Sequence, residues 1–359
     1  MHRPALRHLC LLSAFALLAL PLAADVGPDT SLETLLGKHG REQLSRQLEK
    51  RVYGGKTYEW SQYSSWGHDL LVYGSVKNPP VGSAPSVRLS DSYRCVHCHN
   101  MVREDARLTA QDPEAREVLL RKAGPAAAEK RDGSVPSMVP ATTFWGIVNR
   151  NRYYNGFFER YRSLKTQEGT PMNPERLTDA IQICSRYCSA GRYPEAWEMD
   201  AMVAYLWDLE LRMKDLDLTP EQAQRVTAAL NAGEPKAVDE ARGLLRSAHL
   251  TVAGGDPAEL PKDLRPGEDI YAGGKTFRGD AGRGELLFKA SCGGCHGQDV
   301  TKAPPVGRIA RRAKDDGNFD RVPRKGTERR GGLYMPLFTA ERLSHRQLAD
   351  IRTYLASLR

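Results

Sequence analysis

The sequence predicts an all-α protein made of two helical domains, which are joined by a helical hairpin and a Gly/Pro-rich linker. The chain has 359 residues, enough for about two domains of ordinary size. Apolar residues recur at steps of three and four, the period of an amphipathic helix. One cysteine and histidine motif occurs twice, each time ahead of a predicted closing helix. The predicted boundaries are 25–218 for the N-terminal domain, 219–280 for the hairpin and linker, and 281–359 for the C-terminal domain.

Residues 1–24 have the pattern of a secretory signal peptide. Arg3 and Arg7 precede an apolar stretch over 9–20, and small residues follow before Asp25, as signal peptidases prefer. An uncleaved anchor and a lipoprotein are the alternatives, but the apolar run is short of the ~20 residues that span a bilayer. We therefore predict an exported, periplasmic protein of the Gram-negative type, with no integral membrane segment after cleavage.

Two copies of the motif Cys-X-X-Cys-His follow the signal peptide. Two thiols three positions apart on a helical turn can add to the two vinyl groups of one porphyrin, and the histidine then lies under the iron as proximal ligand. Disulfides or a zinc site are the alternatives, but zinc needs four ligands from two facing pairs, whereas each motif is complete as a haem site by itself. The sequence therefore predicts two covalently attached haem c groups. Their predicted attachment residues are Cys95, Cys98 and His99 for haem 1, and Cys292, Cys295 and His296 for haem 2.

Helices are predicted at both ends of the N-terminal domain. Residues 29–50 read as one amphipathic helix that opens with a capping box, and the Gly/Tyr/Trp-rich region up to Tyr93 as a loop. Asn173 is predicted to cap a helix that carries Cys184. The helix that closes the domain has an apolar face over 197–209.

The rest of the chain is predicted to be helical on both sides of the linker. Thr219 is predicted to cap the first helix of the hairpin, and the linker follows over 251–280. A helix over 282–291 leads into the second motif, and Ser344 is predicted to cap the closing helix. Both closing helices carry a Tyr-Leu pair, so the two domains repeat one plan. The N-terminal copy is the longer, and any special property is expected there.

Two further motifs in the C-terminal domain suggest the sixth ligand of haem 2. Residues 282–288 read Gly-Arg-Gly-Glu-Leu-Leu-Phe, and residues 334–336 read Tyr-Met-Pro. The first resembles the N-terminal helix of class I cytochrome c, and the second resembles the distal-ligand loop of that family. The resemblance covers nearly all of 281–359 and implies Met335 as sixth ligand, which raises the potential of a haem iron and suits an electron relay. His345 is the rival ligand, but its place at the start of the last helix favours a solvent-facing side chain.

Haem 1 lacks an obvious sixth ligand, because no further histidine occurs between His99 and Lys214. Residues 180–206, which include Ala-Ile-Gln-Ile-Cys at their start and Met-Asp-Ala-Met-Val-Ala-Tyr-Leu at their end, are similar to the thiosulfate dehydrogenase cytochromes. The haem subunit of the sulfur-oxidising complex is a looser relative. This resemblance implies that the Cys184 thiolate ligates the iron. Cys188 departs from the pattern by adding a second thiol.

Other arrangements at haem 1 remain open. Cys184 and Cys188 lie four positions apart, and on a helix their Cα atoms are about 6 Å apart, so a structural or redox-active disulfide can form. Met172 or Met138 is the alternative ligand, Met172 because it lies in a Pro-bearing loop. If the protein is an enzyme, Cys184 and Cys188 are the catalytic candidates.

A basic run between the second motif and Met335 points to an acidic redox partner. The chain has a formal net charge of +8, and such a run can steer an acidic protein to an exposed haem edge. Nucleic acid is not expected as a partner outside the cytoplasm. The basic residues are Arg308, Arg311, Arg312, Lys314, Arg321, Arg324, Lys325, Arg329 and Arg330.

Two functions follow from these features. The first is electron transfer between a periplasmic dehydrogenase and a downstream oxidase or cytochrome, which requires only the two haem sites. The second is oxidation of a small sulfur compound such as thiosulfate, with haem 1 as the catalytic centre and Cys184 beside the substrate. A dihaem peroxidase is a weaker third option, because no distal histidine is found for a low-potential haem.

Overall fold

The structure is a computed structural model, and its fold is all-α, as predicted. The predicted signal peptide 1–24, Met138 and residues 253–277 of the predicted linker lie outside the residues that it describes. The continuous described segments are 26–103 (except 83 and 92), 143–151, 164–252, 278–297, 303–315, 319–325 and 343–358. Between them, the structure also describes residues 114, 117–118, 121, 153, 327–328, 334–335 and 338.

The described elements follow the chain in three groups. The N-terminal group consists of α1 (Leu32–Leu35), α2 (Gly40–Leu48), α3 (Trp60–Tyr73), α4 (Leu177–Ile183) and α5 (Ala196–Asp208), with 3₁₀ turns at Cys95–His97, Ile147–Asn149 and Met213–Asp215 and a π-helical turn at Cys184–Cys188. The hairpin consists of α6 (Pro220–Ala232) and α7 (Pro235–Val252). The C-terminal group consists of α8 (Ala281–Ser291), α9 (Gly293–His296), α10 (Val306–Asp315), α11 (Arg321–Lys325), β1 (Thr327–Glu328), β2 (Tyr334–Met335) and α12 (His345–Ser357).

The region before the first motif is not the loop that the sequence predicts, because α3 forms there. Its Tyr63, Trp66 and Leu70 are buried in the N-terminal core, where α3 packs against α5. Trp66 meets Trp197 of α5 edge to face, with ring centroids 6.1 Å apart. The glycine-rich surroundings of these aromatic residues suggest a loop, but the residues form the buried face of a helix.

Two helix boundaries also differ from those predicted. Residues 29–50 form two helices instead of one, because Gly37 takes a left-handed φ of 72° between them. The N-cap of α1 is Ser31, whereas the sequence predicts Thr30 at this position. Asn173 does not cap α4, because the N-cap of that helix is Arg176. The side-chain oxygen of Asn173 instead accepts a hydrogen bond from the Glu175 amide in the turn before the helix.

Both domains are built around a helix crossing that depends on a glycine. A Cβ atom at Gly67 of α3 would lie well under 3.0 Å from the Ala201 carbonyl oxygen and the Cβ of Tyr205 on α5. Gly284 of α8 meets α12 in the same way at Tyr354. The two tyrosines belong to the Tyr-Leu pairs of the closing helices, so the repeat predicted from the sequence corresponds to a repeated packing contact.

The hairpin packs on the start of the N-terminal domain. Thr219 caps α6 with the predicted capping box. Val226 and Leu245 of the hairpin share one buried cluster with Leu32 and Leu35 of α1. None of the described helices is both long and apolar enough to cross a membrane.

The first turn of α12 joins the two domains. Ser344 and Gln347 form the predicted capping box at this end of the helix. The Ser344 hydroxyl also donates to Glu114 at 2.9 Å, and the Gln347 amide nitrogen donates to the buried Glu117 at 3.2 Å. The closing helix is therefore anchored to side chains that precede it by more than half of the chain.

Candidate haem sites and a cysteine pair

The second motif lies on the helical turn that the attachment chemistry requires. The Cys292 amide donates to the Phe288 carbonyl at 2.7 Å, and the His296 amide donates to the Cys292 carbonyl at 2.9 Å. Burial raises the pKa of the Cys292 thiol to about 12, and the nearby Cys295 adds to this rise. The turn therefore presents both cysteines and the histidine from one short segment.

The imidazole of His296 is oriented as a proximal ligand must be. Its Nδ1 lies 2.9 Å from the Pro304 carbonyl oxygen, which can only accept a hydrogen bond. Nδ1 therefore carries the proton, and Nε2 keeps a lone pair for a metal. The residues present fit a covalently bound haem c, with His296 as its axial ligand. Pro304 was not singled out from the sequence, although a residue that fixes the ring was to be expected near the motif.

Met335 lies on β2, whose short pairing with β1 places Thr327 opposite it. Met335 and Cys292 both pack against the buried cluster of the C-terminal domain. His345, the rival ligand, occupies the first position of α12, where its Nδ1 is 3.5 Å from the Arg324 guanidinium. The structure thus brings Met335 and the attachment cysteine to one core.

Arg324 does not belong to the exposed basic run in which the sequence places it. The side chain is buried, with a relative exposure of 1%. Its Nη1 donates to the Phe338 carbonyl at 2.8 Å and to the Leu343 carbonyl at 2.6 Å. Sequence reasoning missed this role, because nothing local distinguishes Arg324 from its basic neighbours. It fastens the chain that leads from Met335 to α12.

The first motif forms a 3₁₀ turn. The amides of Cys98 and His99 donate to the Cys95 carbonyl at 3.1 and 2.9 Å. The His99 ring stacks on Phe144 with centroids 4.2 Å apart and planes inclined by 11°. Burial raises the pKa of the Cys95 thiol to about 12, and the nearby Cys98 adds to this rise. This motif has the same order of thiols and imidazole along a tight turn as the second motif, so its residues also fit a haem c group.

Cys184 and Cys188 open and close the π-helical turn that continues α4. The Ser189 amide donates to the Cys184 carbonyl at 2.8 Å, five residues back. Such wide turns are found frequently at functional sites. No disulfide joins the two cysteines in the structure, and a hydrogen bond connects their side chains.

The electrostatics of Cys184 place it near the first motif. Its pKa is raised well above the ordinary value, first by the hydrogen bond with Cys188 and then by burial. Cys95 and Cys98 raise it further, so both attachment cysteines lie within electrostatic reach of the Cys184 thiol.

Backbone contacts fix the π-helical turn to the segment that leads into the first motif. The Arg192 amide donates to the Leu89 carbonyl at 2.9 Å, and the Ser90 hydroxyl donates to the Ser189 carbonyl at 2.6 Å. A Cβ atom at Gly191 would lie well under 3.0 Å from that same Leu89 oxygen. The close approach therefore requires glycine at 191.

Met172, the alternative ligand, is buried at 3% relative exposure. It forms a small apolar cluster with Ile183, and Tyr153 and Cys188 pack against that cluster. Its described contacts are therefore those of a core side chain next to Cys188.

The two motifs adjoin one another across the domain boundary. The Tyr93 hydroxyl donates to the carbonyl oxygen of Ser291, which directly precedes the second motif. Cys98 packs against the buried cluster of the C-terminal domain. The strand that carries Met335 contacts the π-helical turn that carries Cys184. No local pattern in the sequence predicts these contacts, which join residues far apart in the chain.

The helical fold and the Cys-X-X-Cys-His turn define the C-terminal domain as a covalent-haem domain of the c type. Residues 281–359 match the model of the family described as Cytochrome c. This match supports covalently bound haem c and haem-based electron transfer. No curated protein and no solved structure matches the chain.

Proposed function

We propose that the protein is a periplasmic dihaem c-type cytochrome that carries electrons between a dehydrogenase and a downstream oxidase or cytochrome. The contact between the two attachment motifs carries this proposal: Tyr93, two residues before Cys95, bonds to Ser291, the residue before Cys292. Two haem groups bound by adjoining turns can exchange electrons within one chain.

The predicted ligands give that exchange a direction. Methionine beside histidine raises the potential of a haem iron, which makes haem 2 with Met335 the acceptor. A Cys184 thiolate as the ligand of haem 1 leaves that haem at the lower potential. Electrons then enter at haem 1 and leave from haem 2.

The exposed face of α10 is suited to an acidic partner at the exit. Arg308, Arg311 and Arg312 are exposed, while Ala310 and Ala313 face the core. A row of cations on one helix face attracts an acidic protein over a distance that depends on ionic strength. Of the basic run predicted from the sequence, the buried Arg324 does not contribute to this surface.

Removal of either motif tests the number of haem groups. We expect Cys95→Ala/Cys98→Ala and Cys292→Ala/Cys295→Ala each to lower the covalent haem content of the purified full chain by half, because each pair of thiols binds one porphyrin. Covalent haem per chain is measured by the alkaline pyridine assay and by intact mass. Cys188→Ala, which removes a thiol outside both motifs, is the matched control and should keep the wild-type content. A wild-type chain that carries a single haem, or a first-motif variant without loss, contradicts the dihaem proposal.

A sulfur-compound oxidoreductase is the second candidate, and one observation favours it. Cys184 lies within electrostatic reach of the attachment cysteines of haem 1, where a substrate thiolate or thiosulfate could meet the iron. In this function Cys184 and Cys188 border the substrate, and haem 1 is the catalytic centre.

Thiosulfate-dependent reduction of ferricyanide tests this chemistry. We expect the wild-type protein to turn over and Cys184→Met to lose at least about tenfold in kcat, because the new ligand occupies the iron without a thiolate. Low-temperature EPR of the ferric proteins should show a thiolate-type low-spin signal that the variant lacks. If the wild-type protein shows neither turnover nor that signal, the sulfur-compound function is rejected and electron transfer remains as the proposed function.

A further inference from the structure

Cys184 and Cys188 are the two cysteines that neither the haem motifs nor the signal peptide accounts for. The chain has 7 cysteines, of which Cys10 precedes the predicted cleavage and four belong to the two motifs. The remaining pair is held in one π-helical turn as hydrogen-bonded thiols. Both side chains are partly exposed.

The geometry of the turn allows the pair to close into a disulfide. Residues four apart on a helical turn have Cα atoms about 6 Å apart, inside the range that a disulfide tolerates. The thiols already face one another in their hydrogen bond. Shortly after the turn, Ala190 takes a left-handed φ of 55°, and the backbone at Gly191 packs closely against the Leu89 carbonyl. These contacts with the segment before the first motif fix the position of the turn.

The pair also lies beside both haem sites. Cys184 is within electrostatic reach of Cys95 and Cys98 on one side. On the other side, its turn contacts the strand that carries Met335. The pair therefore lies within reach of both sites that are proposed to bind haem.

We propose that Cys184 and Cys188 form a dithiol–disulfide couple that serves as a two-electron redox centre and as the point where electrons from thiols enter the protein. The proposal rests on the dihaem function proposed above. In the oxidation step, both S–H bonds break and one S–S bond forms. Two protons pass to solvent, and two electrons reduce two ferric haem groups, one electron each. Two external thiols then restore the dithiol by exchange, through a mixed disulfide, and leave joined to each other as a disulfide; the partial exposure of the pair permits this reaction.

The direction of this step follows from the ordinary chemistry of its parts. Protein dithiols are reducing couples, whereas a methionine ligand raises the potential of haem c. Electrons therefore run downhill from the dithiol to haem 2. The stoichiometry also matches, because the dithiol releases two electrons as it becomes a disulfide and each haem takes one.

An anaerobic titration of the full mature chain tests the proposal. The protein is reduced with dithiothreitol and dithionite, freed of both, and oxidised with ferricyanide while the haem absorbance is followed. We expect the wild type to consume two more equivalents than Cys188→Ser, because the dithiol is a two-electron couple. After a pulse of ferricyanide below the total, the oxidised haem should return to the ferrous state in the wild type and stay ferric in Cys188→Ser.

Differential alkylation and mass spectrometry supply the second readout. The wild-type peptide with Cys184 and Cys188 should lose two hydrogen atoms and resist alkylation once the haem groups are oxidised. Equal consumption by both proteins, with both wild-type thiols still open to alkylation, overturns the proposal. Haem content is measured separately, and the difference of two equivalents does not depend on it, so failure of the dihaem proposal is recognised independently. If Cys188→Ser does not fold, the alkylation of the wild type decides alone.

Discussion

Gly284→Ala is expected to destabilise the C-terminal domain by about 3 kcal/mol or more. The new methyl group would meet the backbone carbonyl of Asp350 and the Cβ of Tyr354, both well under 3.0 Å away. Neither neighbour is the free end of a flexible side chain, so α8 and α12 must move apart and lose packing along their whole contact. Urea unfolding of the purified haem protein, followed by circular dichroism and the haem absorbance, measures the loss.

The same helix supplies the control. A Cβ atom at Gly282 has its nearest neighbour, the Asp280 carboxylate, at 3.4 Å, an ordinary contact. Gly282→Ala should therefore leave stability unchanged or raise it by up to about 1 kcal/mol, through the lower entropy of the unfolded chain. Gly67→Ala is the counterpart in the N-terminal domain and should behave like Gly284→Ala. Equal stability of Gly284→Ala and Gly282→Ala would show that the helices do not cross as described.

Local sequence signals were sufficient for part of the fold. The capping boxes at Thr219 and Ser344 occur where they were predicted, because a cap depends on residues three positions apart. α3 was missed because Tyr63 and Trp66 lie in a Gly-rich context that suggests a loop. Their helical conformation is stabilised by packing against α5, which a local pattern does not show.

The candidate sites also combine features that a local sequence pattern predicts with features that depend on contacts between distant residues. The Cys-X-X-Cys-His spacing predicts the attachment residues directly, since one turn contains the whole motif. The position of the π-helical turn depends on contacts such as that between Ser90 and Ser189, which are 99 positions apart. The role of Arg324 likewise depends on carbonyl groups 14 and 19 positions away. No periodicity or motif encodes such pairs.

Arg324→Leu is expected to destabilise the C-terminal domain by about 2–4 kcal/mol and to loosen the segment after Met335. The guanidinium is buried and donates to the carbonyls of Phe338 and Leu343. Leucine fills part of the space but donates nothing, so both oxygens lose a partner, and each orphaned buried acceptor costs about 1–3 kcal/mol. Denaturant unfolding gives the stability, and the visible spectrum of the folded protein reports on the haem ligands.

Two further variants separate the effect of the positive charge of Arg324 from the effect of its two hydrogen bonds to carbonyl groups. Arg321 lies on the same short helix but is exposed, so Arg321→Leu removes the same charge and should change stability by less than about 0.5 kcal/mol. Arg324→Lys keeps the charge but carries it on a shorter side chain, so its ammonium group does not reach the position of Nη1 between the two carbonyls, and its stability should fall between those of the other two variants. If all three variants were equally stable, Arg324 would be a solvated cation like its neighbours. A large loss in Arg324→Leu, a smaller one in Arg324→Lys and none in Arg321→Leu would mean instead that this short helix combines an exposed cation, Arg321, with a buried one, Arg324, whose hydrogen bonds hold the chain on both sides of α11 together.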